Sequence, residues 1–150
     1  MNIKKILQEM DELVLDTGVL IEYYRNNQAI VNLLDKYIFY PESKITLFGH
    51  NLLKSEIYYI RCRKFGIESA KEYIKHLERV MVTIGEQWLF EQAGRIKCKF
   101  PIALSDCYSI SLGMLRECPV FFMPEDEIDE NTVEKINSEF GAGILVLDDV

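Results

Sequence analysis

Short apolar runs alternate with longer stretches of helical period along this chain, and that alternation constrains its fold more than any other feature. Leu13–Asp16, Ile45–Phe48, Met81–Ile84, Val120–Met123 and Ile144–Leu147 have the length and character of short, largely buried strands. Between them the spacing predicts helices over Gly18–Asn26, Ala29–Tyr37, His50–Phe65, Glu86–Lys97, Ser105–Arg116 and Asn131–Glu139. A further helix opens at "ESAKEYIKHLERV", where Ser69 and Glu72 stand at capping-box spacing. Asn2–Met10 is a short helix or an irregular lead-in. Strands that alternate with helices imply an α/β chain with a mostly parallel sheet covered on both faces. Sheets of this kind hold their ligand sites outside the carboxyl ends of the strands. A length of 150 residues fits one domain.

Composition narrows the function classes. No apolar run reaches the ~18 residues needed to cross a bilayer, and "MNIKKILQEMDEL" is too charged for a secretory signal. The expected location is the cytosol, away from membranes. Cys62, Cys98, Cys107 and Cys118 form no CxxC pair, and only His50 and His76 could complete a zinc set, so reduced thiols are expected. A net charge of −7 argues against a protein that holds nucleic acid mainly by its own charge. An acidic site can still meet a polyanion across divalent cations. The cations from Lys54 to Arg79 either border a nucleic-acid groove or form a solvated helix face. Tyr23, Tyr24, Tyr58, Tyr59 and Trp88 can stack bases, but such residues more often belong to a core or a dimer interface. The apolar side of the first two helices after Asp16 is expected to be exposed and to meet a partner.

Carboxylates stand in apolar surroundings at four points. Asp16 ends the first strand; it can cap the next helix or face a ligand, and Thr17 can share that cap or orient it. Glu56 lies in "HNLLKSEIYYIRCRKF" on the face of Leu52, Leu53, Tyr59 and Ile60, expected to be buried. An ionised carboxylate there needs a partner or a metal, and Arg95 is one candidate partner. Asp106 opens the helix "SDCYSISLGML", as an N-cap or as a ligand, with small Cys107 and Ser109 beside it. Glu125, Asp126 and Glu127 follow the strand Val120–Met123. Gathered at one sheet edge, such acids would repel one another unless cations were present. Oxygen donors without convergent His or Cys favour Mg²⁺ or Mn²⁺ over Zn²⁺.

These stretches resemble the PIN-domain nucleases, which include VapC-type toxins. "LVLDTGVLIEYY" resembles the family's opening strand and aspartate, "LLKSEIYYIRCR" its glutamate helix, and "LSDCYSISLGML" its aspartate-led helix of small residues. "VFFMPEDEI" resembles the form of its fourth acidic position in which glutamate stands three places before an apolar residue, here Ile128. Gly18 departs from the family's frequent Asn, and Phe122, Met123 and Pro124 stand where many members have Thr or Ser before an Asp. Either Glu125 or Asp126 fills the fourth position.

The resemblance implies a three-layer α/β/α sandwich over residues 1–150, with 1–11 as an N-terminal extension. It further implies a metal-dependent endoribonuclease, a homodimer and, in the toxin branch, a VapB-like antitoxin. Asp16, Glu56, Asp106 and Glu125 would hold Mg²⁺ or Mn²⁺, Thr17 would orient Asp16 or the attacking water, and Lys54 or Arg95 would offset phosphate charge. The rival classes are a phosphotransfer or phosphatase domain, which wants a second Asp where Gly18 stands or an acidic pair before Asp16, as Asp11 and Glu12 provide, and a non-catalytic interaction module.

Overall fold

The computed structural model describes residues 2–148. Five strands form one sheet: β1 (Glu12–Leu15), β2 (Thr46–Gly49), β3 (Met81–Thr83), β4 (Val120–Phe122) and β5 (Ile144–Val146). Their order is β3-β2-β1-β4-β5, and every pairing is parallel. β1 is central, with Val14 in register with Phe48 on one side and Val120 on the other. Asp16 falls just beyond the strand, and its amide donates to the Phe121 carbonyl of β4 at 2.9 Å.

Successive strand residues face opposite sides, so two cores form. Leu13, Leu15, Leu47 and Phe121 face one way. They are covered by α1 (Ile3–Glu9), α2 (Thr17–Tyr24), α3 (Gln28–Tyr37), α4 (Asn51–Phe65) and α5 (Ile67–Val80). Val14, Phe48, Val120 and Phe122 face the other way, against α6 (Phe90–Lys99), α7 (Leu104–Arg116) and α8 (Glu130–Phe140). The result is a three-layer α/β/α sandwich. Each fully buried Leu, Val or Phe in these layers contributes roughly 1.5–3 kcal/mol. At Gly113 of α7 a Cβ would lie 3.2 Å from the Cys118 carbonyl and 3.4 Å from Val120 Cβ. The absent side chain lets α7 lie close along β4, which fixes where its first turn meets the sheet edge.

Local chemistry departs from the sequence pattern in three places. The Ser69–Glu72 capping box does not form, because α5 starts at Ile67, directly after Gly66. Gly66 adopts φ +89°, which breaks α4 from α5, and the Ser69 hydroxyl instead accepts from Arg61 Nε at 2.7 Å. The helix expected over Glu86–Lys97 is divided into a short 3₁₀ turn, Glu86–Trp88, and α6. The apolar sides of α2 and α3 are core rather than surface: Val19, Leu20, Ile30, Leu33 and Leu34 are buried. Exposed apolar residues lie elsewhere, at Trp88, Phe90 and Leu115 among others.

α7 ends at Glu117, which takes the left-handed conformation (φ 54°, ψ 46°) that glycine accepts without strain. Replacing Glu117 with Gly should therefore stabilise the fold by about 1 kcal/mol, read from urea unfolding midpoints. A lower midpoint for the variant would contradict this account of the cap.

Candidate functional site at the carboxyl edge of the sheet

From β1 the chain builds the sheet outward through β2 and β3, then crosses to the other side of β1 for β4 and β5. The strand order thus reverses between β1 and β4, and a crevice opens beyond their carboxyl ends. Asp16 leaves β1 into that crevice, Glu125 follows β4, and the first turn of α7 delivers Asp106. One carboxylate oxygen from each of the three lies within 4.8 Å of the others.

Neither aspartate is explained as a helix cap. Asp16 occupies the N-cap position of α2 but makes no side-chain capping bond. The N-cap of α7 is Ala103, and Asp106 sits inside the first turn. Asp16 is 1% exposed and Asp106 5%. Asp16 Oδ1 and Asp106 Oδ2 are buried with no hydrogen-bond partner among the described residues. A buried carboxylate without a partner is costly, and here two are adjacent. Burial is the main reason both carboxyls titrate above their ordinary range. The negative charge of Glu125 and Glu56 raises Asp16 further, while the Ser109 hydroxyl partly opposes the shift. Asp106 is raised next by Asp16, then by Glu125. Glu125 is itself raised, through partial burial and then the charges of Glu127 and Glu56.

The glutamates reach the site from its margins. Glu125 sits in a tight turn closed by the Ile128 amide, which donates to the Glu125 carbonyl at 3.2 Å, and buried Ile128 anchors that turn. Gly18 leaves room below it: a Cβ there would lie 3.6 Å from Glu125 Oε1. Asp126 is exposed and outside the three-acid group. Glu56 is not on the buried stripe of α4, which consists of Leu53 and Ile57, and Tyr59 of the expected face is exposed. Glu56 is half-buried at the stripe's edge, where its Oε1 accepts from Thr17 Oγ1 at 2.7 Å. It lies outside the three-oxygen group. Thr17 therefore holds Glu56 rather than Asp16. Arg95 pairs with Glu91, one turn away on its own helix, and not with Glu56. Among the described residues no lysine or arginine forms an ion pair with any of the four acids.

The donor set fits a hard divalent cation. It is all oxygen, two of its atoms lack any protein partner, and a +2 charge would remove the repulsion that raises their pKa values. The histidines and several aromatics are engaged elsewhere. His76 Nδ1 meets the Tyr24 hydroxyl at 2.8 Å, and Tyr23, Tyr24, Phe39, Tyr73 and His76 form one aromatic cluster. Arg61 lies over the rings of Phe65 and Tyr73, which ties one of the expected groove cations into the fold. The meeting of His50 with Ser109 (2.9 Å) left little mark in the sequence. The one signal was the spacing of Ser109, three residues after Asp106 and so on its side of the helix.

No protein-family profile matches the sequence, and no curated protein sequence does either. Solved structures do match. VapBC from Salmonella typhimurium, crystallised with DNA, aligns with a TM-score of 0.64 at 14% identity, over 91% of this chain and 98% of its own. VapBC2 from Rickettsia felis, bound to a promoter fragment, aligns at 0.62 and 12%, over 91% and 99%. VapC20 from Mycobacterium tuberculosis, described as a Sarcin-Ricin loop cleaving toxin, aligns at 0.60 and 14%, over 82% and 94%. The chain has the VapC-like PIN fold. In this fold the acids gather at the reversal of strand order, the place where the sheet itself opens a crevice.

The charge arrangement makes stability pH-dependent. Asp16 and Asp106 keep protons in the folded state that the unfolded chain releases above the ordinary aspartate value of 3.8. The folded state binds more protons through neutrality, so stability falls as pH rises from that value. Asp106→Asn removes one of the two charges and should raise metal-free stability at pH 8 by about 1 kcal/mol or more, with a smaller gain at pH 5. Urea titrations of both proteins at the two pH values check this. Equal stability at pH 8 would show that the two carboxyls do not interact as described.

Proposed function

We propose that this chain is a Mg²⁺- or Mn²⁺-dependent endoribonuclease, acting as the toxin of a toxin–antitoxin pair. The observation that carries the reading is the convergence of Asp16, Asp106 and Glu125, with two buried oxygens lacking partners, in a VapC-like fold. Similarity to VapC20, a toxin that cleaves the Sarcin-Ricin loop, supports RNA as the substrate class. Similarity to VapBC complexes supports an antitoxin partner. Exposed Trp88, Phe90 and Leu115 offer apolar area for association, including a homodimer. The cytosol is the matching location, and no described helix is long and apolar enough to cross a membrane.

Asp16, Asp106 and Glu125 would bind the cation through their facing oxygens. Bound there, a divalent ion supplies a water of lowered pKa and offsets charge on the phosphate. Glu56, held through Oε1 by Thr17, keeps Oε2 to orient the attacking water and accept its proton. Asp16 and Asp106 exclude solvent on the inner side, so the scissile phosphate enters from the side of Glu125. In-line hydrolysis then leaves a 5′-phosphate and a 3′-hydroxyl. The chain's −7 charge is compatible with a polyanion only if cations lie between them, which makes metal dependence part of binding as well as chemistry.

Purified protein incubated with RNA and Mn²⁺ or Mg²⁺ should cleave it, and a chelator should stop cleavage. Asp16→Asn and Asp106→Asn should each lower the rate by at least about a hundredfold. Cleavage at the same rate by wild type and Asp16→Asn would mark a contaminating nuclease and remove the support for this reading.

A further inference from the structure

We infer that His50 and Ser109 are positioning residues: together they form a hydrogen-bonded relay from α4 to α7 that sets where α7 presents Asp106 to the cation site. The inference rests on the metal-dependent reading above and extends it to two residues outside the acidic cluster.

His50 is fully buried at the N-cap of α4. The Leu53 amide donates to His50 Nδ1 at 3.2 Å, and His50 Nε2 lies 2.9 Å from Ser109 Oγ. Burial pushes the imidazole pKa down to about 4, so the ring is neutral near pH 7 and carries a single N–H. An amide can only donate, so Nδ1 must be the acceptor and the proton must sit on Nε2. Nε2 therefore donates to Ser109 Oγ, and the serine's own hydrogen is left to point elsewhere. Ser109 lies one helical turn after Asp106, on the same side of α7.

Donation thus runs in one direction, from the α4 backbone through His50 to Ser109 on α7. A serine or asparagine at position 50 would satisfy the helix cap equally well. Only a longer group with a second polar atom on its far side spans from that cap to α7. The imidazole consequently joins the helix that carries Glu56 to the helix that carries Asp106. Metal ligands held by such outer hydrogen bonds lose affinity when the partner is removed, commonly by about 10–100-fold.

Calorimetric titration with Mn²⁺ alone tests this on wild type, His50→Asn, Ser109→Ala and the double variant. Asn keeps an acceptor where Nδ1 stands and so keeps the cap, but it cannot reach Ser109. Both single variants should bind Mn²⁺ about tenfold or more weakly. The double variant should bind no more weakly than either single, because one relay is broken in all three. His50→Asn, which keeps the cap, should unfold at a higher urea concentration than His50→Ala, which loses cap and relay together, and this separates a lost relay from a lost cap. As a measurement on unaltered protein, ¹⁵N NMR should show the His50 ring protonated on Nε2 at neutral pH. Wild-type affinity in both single variants, or a ring protonated on Nδ1, would overturn the relay while leaving the metal reading intact. Absence of Mn²⁺ binding by the wild type would overturn that reading, and the relay with it.

Discussion

Two aspartates held side by side out of water set the terms for the rest of this molecule. Asp16 and Asp106 are each costly to bury as anions, and each makes the other more costly. No arginine or lysine answers them among the described residues. The fold must therefore be stabilised elsewhere, by apolar layers on both faces of the sheet. A divalent cation would reverse the sign of this interaction, turning a repulsive cluster into a set of ligands. The same groups would then couple folding to metal binding, since an ion held only by the folded state stabilises that state.

Backbone architecture keeps the two acids from separating. The Asp16 amide is bonded to the β4 carbonyl of Phe121, so Asp16 cannot move without disturbing the two central strands. Asp106 is carried by α7, whose close approach to β4 depends on Gly113. Both acids also lie at helix N-termini, Asp16 at the N-cap of α2 and Asp106 in the first turn of α7. The helix dipole favours negative charge at those positions by roughly 0.3–1 kcal/mol each. That offset is smaller than the penalty of burial, which leaves room for a cation to supply the remainder.

The fold was largely legible in the sequence because its signal is local. Each strand is a short apolar run bounded by polar or turn residues, and a parallel sheet buried on both faces needs nothing more specific. Asp16 and Asp106 stood out for the same reason, as carboxylates interrupting apolar patterns. Glu56 was singled out by a flawed argument. The face assigned to it included Tyr59, which is exposed, whereas the buried stripe of α4 is Leu53 and Ile57. Pairings across long stretches of chain left no such mark. Thr17 meets Glu56 across 39 positions and His50 meets Ser109 across 59, and nothing in either neighbourhood announces its partner. Arg95 failed as a partner for Glu56 because a nearer acid, Glu91, lies on its own helix. The Ser69–Glu72 capping pattern lost to Gly66, whose left-handed backbone starts α5 earlier.

Side-chain length divides the four acids into two kinds, and the division follows from where each is attached. The aspartates are short and rise directly from the buried edge of the sheet and the first turn of α7, so the placement of the backbone goes far to determine where their oxygens lie. The glutamates start farther out, one on α4 and one in the turn after β4, and reach inward over an extra methylene. Each needs a separate restraint: the Thr17 hydroxyl for Glu56, and the Ile128-anchored turn for Glu125. A site built this way has a floor set by the backbone and a rim set by side-chain and turn contacts. The proposed hydrolysis would use both, with the floor keeping the charge in place while phosphate oxygens enter at the rim. At Gly18 a side chain would stand directly against that rim, its Cβ 3.6 Å from Glu125 Oε1.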